Sequence, residues 1–99
     1  MENNIFVRID KKATDQKMSK EVYNAHLKYI EKLKEKDFIM AGGFEKENGG
    51  LIVFKADSYK KAKSLCKQDP IIKGNYYIFK LCKWNLKYIS KVKEVLLSG

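Results

Sequence analysis

The pattern of apolar and polar positions divides the first part of the chain into one strand and one helix. Residues 5–9 form a short run of β-branched and aromatic side chains, which predicts the first strand. A polar stretch over residues 10–18 predicts a loop, and Ser19 then offers the side-chain oxygen of a helix cap. An apolar stripe at helical spacing follows this cap, which predicts a helix that ends near Lys36. The members of this stripe are Val22, Ala25, His26, Tyr29, Ile30 and Leu33.

Two further strands are predicted in the middle of the chain, joined by a hairpin. Residues 38–44 form an apolar run that contains glycines near its end, and residues 45–48 form the polar tip of the hairpin. Gly49 and Gly50 lead into the third strand, residues 51–54, which is apolar at every position. A strand with one face in solvent would alternate between apolar and polar residues. The third strand is therefore predicted to be covered on both faces.

A second helix and a last strand complete the pattern. Ser58 caps this helix, Pro70 ends it, and a strand rich in aromatic residues follows over residues 75–84. Residues 85–99 carry apolar positions at mixed helical spacing and predict a short appended helix or strand. The order of the main elements is βαββαβ, which indicates an α+β domain. The positions that recur at helical spacing in the second helix are Ala62, Leu65, Cys66 and Asp69.

The apolar strands also predict an assembly. Two helices cover only one face of a four-stranded antiparallel sheet, yet the second and third strands are apolar on both faces. The other face must meet a further layer, and a second copy of the chain, packed sheet against sheet, supplies one most simply. A homodimer through the open sheet face is therefore expected.

The net charge of +9 is the strongest signal in the composition. The kind and distribution of the basic residues make it weak evidence for a nucleic-acid site. Arg8 is the only arginine, and the lysines are scattered along the chain without a block of consecutive charges. Sites that read nucleic-acid sequence favour arginine for its two-pronged hydrogen bonding. A solvated basic surface is therefore preferred over a nucleic-acid site, and nucleic acid is not the expected partner.

The remaining composition indicates a cytosolic protein of one domain. The 99 residues are 44% hydrophobic, an ordinary globular content, and no apolar run is long enough to span a bilayer. The N-terminus lacks the features of a signal peptide. Cys66 and Cys82 are too few for a disulfide framework and have no metal-ligand spacing, so they are read as reduced thiols. No cofactor or metal motif is present in the sequence.

Several short motifs, taken together in order, resemble the YciI-like (YCII-related) family. The resemblance runs from about Ile5 to Trp84, so the domain is taken as residues 1–84, with 85–99 as its C-terminal extension. Gly43 departs from the family, in which many members carry proline at this position. The motifs are His26-x-x-Tyr29-x-x-x-Leu33, Ala41-Gly42-Gly43-Phe44, Gly49-Gly50, Ser58-x-x-x-Ala62, Asp69-Pro70 and the aromatic Trp84.

This resemblance implies a fold and a site. The fold would be a ferredoxin-like subunit of a dimeric α/β barrel, similar to muconolactone isomerases. The site would be a pocket built around a histidine–aspartate pair, which falls on His26 and Asp69 in this sequence. One branch of the family removes chloride from a chlorinated hydroxyhydroquinone, whereas most members have no assigned reaction.

Each residue of this candidate site also has a structural interpretation. His26 lies mid-stripe on a helix face that packs inward, where a histidine is often a core residue, and Asp69 before a proline commonly caps the following turn. If the two meet, the carboxylate fixes the histidine tautomer and leaves the other ring nitrogen as a general base. Arg8 is a candidate for holding a substrate carboxylate or phenolate, with an ion pair as the alternative. Phe44 and Trp84 are the candidate aromatic lining of the pocket.

Two classes of function follow from these residues. The first is a small-molecule enzyme of lyase or isomerase type, in which His26 moves a proton and Asp69 orients it. The second is a binding module without chemistry, since RNA-recognition motifs share the βαββαβ order and the last strand carries tyrosines. The third strand disfavours RNA, because residues 49–54 place aliphatic side chains where stacking aromatics are needed. A protein that binds a small ligand stays open as an alternative.

Overall fold

The computed structural model describes residues 4–36 and 38–90. The elements are β1 (Ile5–Lys12), α1 (Lys20–Lys36), β2 (Phe38–Gly43), β3 (Gly49–Lys55), α2 (Tyr59–Lys67), α3 (Pro70–Lys73) and β4 (Tyr77–Trp84). The four antiparallel strands form one open sheet in the order β2-β3-β1-β4. This confirms the predicted α+β, ferredoxin-like fold.

The two long helices begin where serine caps predict them. Ser19 Oγ accepts a hydrogen bond from the backbone N–H of Val22 at 3.2 Å, and Ser58 Oγ accepts one from Lys61 at 3.1 Å. Each bond satisfies one of the amide groups that the first turn of a helix leaves without a partner. The apolar stripe of α1 lies towards the protein, with Leu33 fully buried.

The predicted end of the second helix is wrong. The helix α2 stops at Lys67, so Asp69 does not continue its apolar face; instead Asp69 is the N-cap of the short helix α3. Pro70 occupies the start of α3, where a missing N–H costs nothing and the fixed φ angle suits a helix. The last strand also starts later than predicted, at Tyr77, because Asn75 has a φ of 60° and turns the chain.

The helices cover one face of the sheet, and the core lies between them. Even-numbered residues of β1 point to this face, beginning with Phe6 and followed by Arg8 and Asp10. Arg8 pairs across the strands with Ile52, whereas Asp10 pairs with Gly50. Along β1, the buried face therefore changes from aromatic at Phe6 to charged at Arg8 and Asp10. The apolar cluster comprises Phe6, Ile52, Phe54, Ala62 and Cys66.

The other face of the sheet is also apolar in its central strands. The residues that β1 and β3 present there are aliphatic in the middle of the strands, with lysine or glycine at the ends, so these two strands offer no stacking aromatics for RNA. Ile9, Ile78 and Trp84 on this face are 38%, 58% and 42% exposed. The predicted homodimer through this face stays a prediction.

The segment after β4 does not form the predicted appended element in the part that the structure describes. Residues 85–90 have neither helical nor strand structure, and residues 91–99 of the predicted element lie outside the described residues. Within residues 4–36 and 38–90, no helix combines the length and apolar character that crossing a bilayer requires.

Candidate active site

A buried arginine organises the charged end of the core. Arg8 donates from Nε to Asp10 Oδ1 at 2.7 Å and from Nη2 to Asp10 Oδ2 at 2.8 Å. The two residues are neighbours on one face of β1, two positions apart, which is the spacing that places side chains side by side on a strand. Both are buried, with Arg8 only 1% exposed. The pair is a bidentate ion pair away from bulk water.

Asp69 joins this ion pair to His26. Its Oδ2 lies 2.9 Å from Arg8 Nη2, and its Oδ1 lies 2.8 Å from His26 Nδ1. The same Oδ1 accepts a hydrogen bond from the backbone N–H of Ile71 at 3.1 Å. Asp69 therefore caps α3 and contacts the histidine at the same time. The four side chains form one continuous chain of bonds, in the order Asp10, Arg8, Asp69, His26.

The geometry around His26 fixes its proton positions. A carboxylate beside Nδ1 accepts a hydrogen bond, so Nδ1 carries the proton and Nε2 of the neutral ring has a free lone pair. Among the described residues, none forms a hydrogen bond with His26 Nε2. The side chain is 18% exposed, so it is partly open, whereas Asp69 is fully buried.

Burial shifts the pKa values of several groups around this chain of bonds. Burial raises the pKa of Asp10 above its ordinary value, while the hydrogen bonds and charge of Arg8 act in the opposite direction. Burial alone would lower the pKa of Arg8. The hydrogen bonds and charges of Asp10 and Asp69 raise it by more than burial lowers it, so the pKa lies above its ordinary value and the guanidinium stays charged. Burial also raises the pKa of the Cys66 thiol to about 11 and that of the Tyr29 hydroxyl well above its usual range. Cys66 is therefore a core residue and not a nucleophile at neutral pH.

A cavity of about 320 Å³ lies beside His26 on the helix face of the sheet. Its floor is made by the row Asp10, Gly50 and Gly43, which pair directly across three strands and carry only one side chain among them. Two glycines in one row leave the height of a side chain empty above the sheet. The residues that line the cavity are Asp10, Met18, Tyr23, His26, Leu27, Ile30, Ala41, Gly42, Gly43, Gly49, Gly50, Leu51, Ile52, Ile71 and Tyr77.

Three glycines that line the cavity are required by the backbone to different degrees. A Cβ atom on Gly50 would lie 2.7 Å from the carbonyl oxygen of Gly42, which is too close for any side chain. Gly49, next to the floor, has a φ of 148°, and a Cβ there would clash with the carbonyl oxygen of Asp10. A Cβ on Gly43 would meet the Gly49 oxygen at 3.7 Å, an ordinary contact. The backbone therefore excludes a side chain at Gly49 and Gly50 and accepts one at Gly43.

The structure brings together only some of the site residues that were predicted from the sequence. His26 and Asp69 are in contact, and Arg8 holds two carboxylates without lining the cavity. Phe44 and Trp84 are not among the lining residues, so the expectation that they line this pocket is wrong for the cavity beside His26. Phe44 lies beyond the end of β2, and Trp84 lies on the opposite face of the sheet because it pairs with Ile5. Their roles as substrate contacts stay predictions.

Sequence reasoning missed Asp10 and Tyr77 as cavity residues. Asp10 was placed in a loop, but β1 extends to Lys12, and the alternation of Phe6, Arg8 and Asp10 then places all three on the helix face. The sequence did contain a signal for this arrangement, because Arg8 and Asp10 have opposite charges and occupy alternate positions of one strand. Within the described ranges, no group of three or more histidine, cysteine or acidic residues is positioned to hold a metal ion.

Comparison with known proteins agrees with this fold. Residues 4–85 match the YCII-related domain. The chain belongs to the YCII-related domain family. The resemblance stated from the motifs is therefore confirmed over almost the whole domain. No functionally curated protein matches the chain.

One similar solved structure is the 5-chloro-2-hydroxyhydroquinone dehydrochlorinase from Burkholderia phenoliruptrix, in complex with 2,5-dihydroxybenzoquinone. The two chains are 20% identical, with a TM-score of 0.62 over 83% of this chain and 95% of the other. At this identity the similarity shows a shared YciI-like fold.

Proposed function

We propose that this YCII-related protein is a small-molecule enzyme of lyase or isomerase type, with His26 and Asp69 as its acid–base pair. The observation that carries the proposal is His26 at the wall of a cavity, bonded through Nδ1 to a buried carboxylate while Nε2 has no hydrogen-bond partner among the described residues. An imidazole held in this way has the geometry of a general base, with Nε2 directed to accept a proton. A purely structural histidine in a packed core would have both nitrogens satisfied.

The substrate class that we propose is a small hydroxylated ring, and the reaction is removal of hydrogen chloride or a related proton shift. In a dehydrochlorination of a chlorinated hydroxyhydroquinone, one hydroxyl proton moves to the chlorine-bearing carbon and a second is released. Chloride leaves with the electrons of the C–Cl bond, and the ring becomes a hydroxyquinone, so the net loss is HCl. We assign the first proton transfer to His26 Nε2, with Asp69 holding the imidazole and stabilising its charge after protonation. The fold neighbour that acts on such a ring supports this choice.

We also propose that the working form is a homodimer in the reducing environment of the cytosol. Apolar side chains are exposed on the sheet face away from the helices, and both cysteines are free thiols. A second copy would cover these side chains, as stable sheet-to-sheet interfaces do.

The test is turnover of 5-chloro-2-hydroxyhydroquinone without oxygen, followed by chloride release and by absorbance of the quinone product. We expect the wild-type protein to release one chloride for each quinone. His26→Asn should lower the rate by about 10²- to 10⁴-fold while circular dichroism shows a folded protein.

The matched control is Lys32→Gln, an exposed position on the same helix, which should turn over at the wild-type rate. No chloride release by the wild-type protein would reject the dehydrochlorinase reaction. An unfolded His26→Asn variant would favour a structural histidine instead.

A further inference from the structure

The cavity beside His26 has an unexpected charge for a protein with a net charge of +9. No lysine or arginine is among the described residues that line it. Asp10 is its acidic side chain, and His26 is the one lining side chain that can become positive. The surplus positive charge of the chain therefore lies elsewhere, and it does not prepare this cavity for an anion.

Asp10 keeps hydrogen-bonding capacity although Arg8 already contacts both of its oxygens. Arg8 donates one hydrogen bond to each carboxylate oxygen, and a carboxylate has about four acceptor sites. The side chain is 7% exposed, and what remains accessible lies at the wall of the cavity. A group that enters the cavity can therefore donate a hydrogen bond to Asp10 without breaking the ion pair.

The glycine row fixes where such a group would lie. Gly50 and Gly43 continue the row of Asp10 across the sheet, so the space directly beside this carboxylate is bounded by backbone alone. A flat ring that lies over these two glycines would bring a substituent at its edge against Asp10. Leu27 and Ile30 of α1 add apolar surface to the lining of the cavity.

We propose that Asp10 is a ligand-binding residue of this cavity, which accepts a hydrogen bond from a hydroxyl group and selects neutral hydroxylated rings over rings that carry a carboxylate. The inference names the ligand of the site proposed above and so rests on that function. It adds Asp10 to the site and gives the site a ligand preference, neither of which follows from the histidine–aspartate pair.

Charge arguments disfavour a ligand that carries a carboxylate. Such a group would lose its water in a cavity that has no lysine or arginine among its described lining residues. It would also face the oxygens of Asp10, which shares the charge of Arg8 with Asp69. A hydroxyl group has a much smaller desolvation cost and satisfies the free acceptor site. The raised pKa of Asp10 agrees with a carboxylate that burial has deprived of water.

The first experiment measures binding to the wild-type protein by calorimetry without oxygen and compares three rings. They are hydroquinone, its dimethyl ether, which has no hydroxyl donor, and para-hydroxybenzoate, which carries a carboxylate. We expect hydroquinone to bind about tenfold more tightly than each of the other two, because the ether loses the hydrogen bond to Asp10 and the benzoate brings a further negative charge. Equal binding of the dimethyl ether would show that no hydroxyl donor is needed and would overturn the proposal. Tighter binding of the benzoate, or no binding of hydroquinone, would also overturn it.

The second experiment repeats the series with Asp10→Asn, which keeps the size of the side chain but removes its charge. We expect the preference for hydroquinone over para-hydroxybenzoate to fall by about tenfold, whereas the exposed control Asp15→Asn should keep the wild-type preference. An unchanged preference in a folded Asp10→Asn variant would overturn the proposal, and the wild-type series decides if that variant does not fold. Ligand selection without chloride release would reject the dehydrochlorinase reaction alone, and chloride release without selection would reject the role of Asp10 alone.

Discussion

Arg8 Nη2 and Asp69 Oδ2 lie 2.9 Å apart, and both side chains are buried. This contact joins the first strand to the cap of α3, two parts of the molecule that are far apart in the sequence. Arg8 also holds Asp10, so one guanidinium balances two carboxylates. Arg8 Nη1 is buried and has no hydrogen-bond partner within residues 4–36 and 38–90. The position of Asp69, and through it the orientation of His26, therefore depends on a residue that does not line the cavity.

Replacement of Arg8 should destabilise the fold strongly. Arg8→Gln would leave Asp10 and Asp69 buried without a countercharge, so we expect the free energy of unfolding to fall by about 3–5 kcal/mol. The measurement is urea unfolding followed by circular dichroism. Lys61→Gln is the control, because it removes an exposed ion pair with Asp57 and should change the free energy of unfolding little. Similar losses in both variants would show that the buried chain of bonds has no special weight.

The raised pKa of Asp10 predicts a direction for the pH dependence of stability. Burial raises its folded-state pKa above the ordinary value of 3.8, so the folded protein holds this proton more tightly than the unfolded chain does. The contribution of Asp10 to stability is then fully present below the unfolded pKa and is lost as the pH rises through the folded pKa. Carboxyl carbon shifts in NMR, assigned with Asp10→Asn, measure this titration directly. A midpoint at or below 3.8 would contradict the prediction.

Filling the floor of the cavity should block ligand binding and leave the fold intact. Gly43→Val places a β-branched side chain on a strand, where it is favourable, and directs it to the helix face beside Gly50. Binding of hydroquinone should fall by more than about tenfold, because the added methyl groups occupy the space of the ring. Gly42→Val is the matched control, since its side chain would lie on the opposite face with no atom within 4 Å of its Cβ. Equal loss in both variants would place the ligand outside this cavity.

The two cysteines report on the predicted dimer. Cys82 is exposed on the sheet face away from the helices, because it pairs with Val7, whereas Cys66 is buried with a thiol pKa of about 11. A thiol reagent should therefore label Cys82 first in the native protein, and Cys82→Ser should remove the fast phase. If the dimer forms through this face, labelling of Cys82 should slow as protein concentration rises and light scattering shows two copies. A monomer at micromolar concentration, with labelling independent of concentration, would reject the dimer.

The sequence was sufficient for the fold and for half of the site. Helical spacing in α1 and the caps Ser19 and Ser58 predict both long helices, because these signals are local and depend on few neighbours. The contact between His26 and Asp69 could be anticipated from the family motifs. Its catalytic role is still a prediction.

The rest of the site depends on pairing between strands, which a single sequence does not reveal. Asp10 enters the cavity only because β1 extends past it and pairs it with Gly50. The cap role and the histidine contact of Asp69 were treated as alternatives, yet one oxygen atom makes both contacts. Trp84 was assigned to the pocket because it resembles the aromatic that the family carries near the end of the last strand, and its register with Ile5 places it on the other face.

The unequal demands on the glycines of the cavity floor also constrain how relatives with other substrates can arise. Backbone oxygens forbid a side chain at Gly49 and at Gly50, so mutation at either position leads to a damaged hairpin before it leads to a new specificity. Gly43, on the helix face, accepts a side chain without a clash. Among these three glycines, a change in the shape of the cavity therefore comes through Gly43, where a single substitution leaves the buried ion pairs in place.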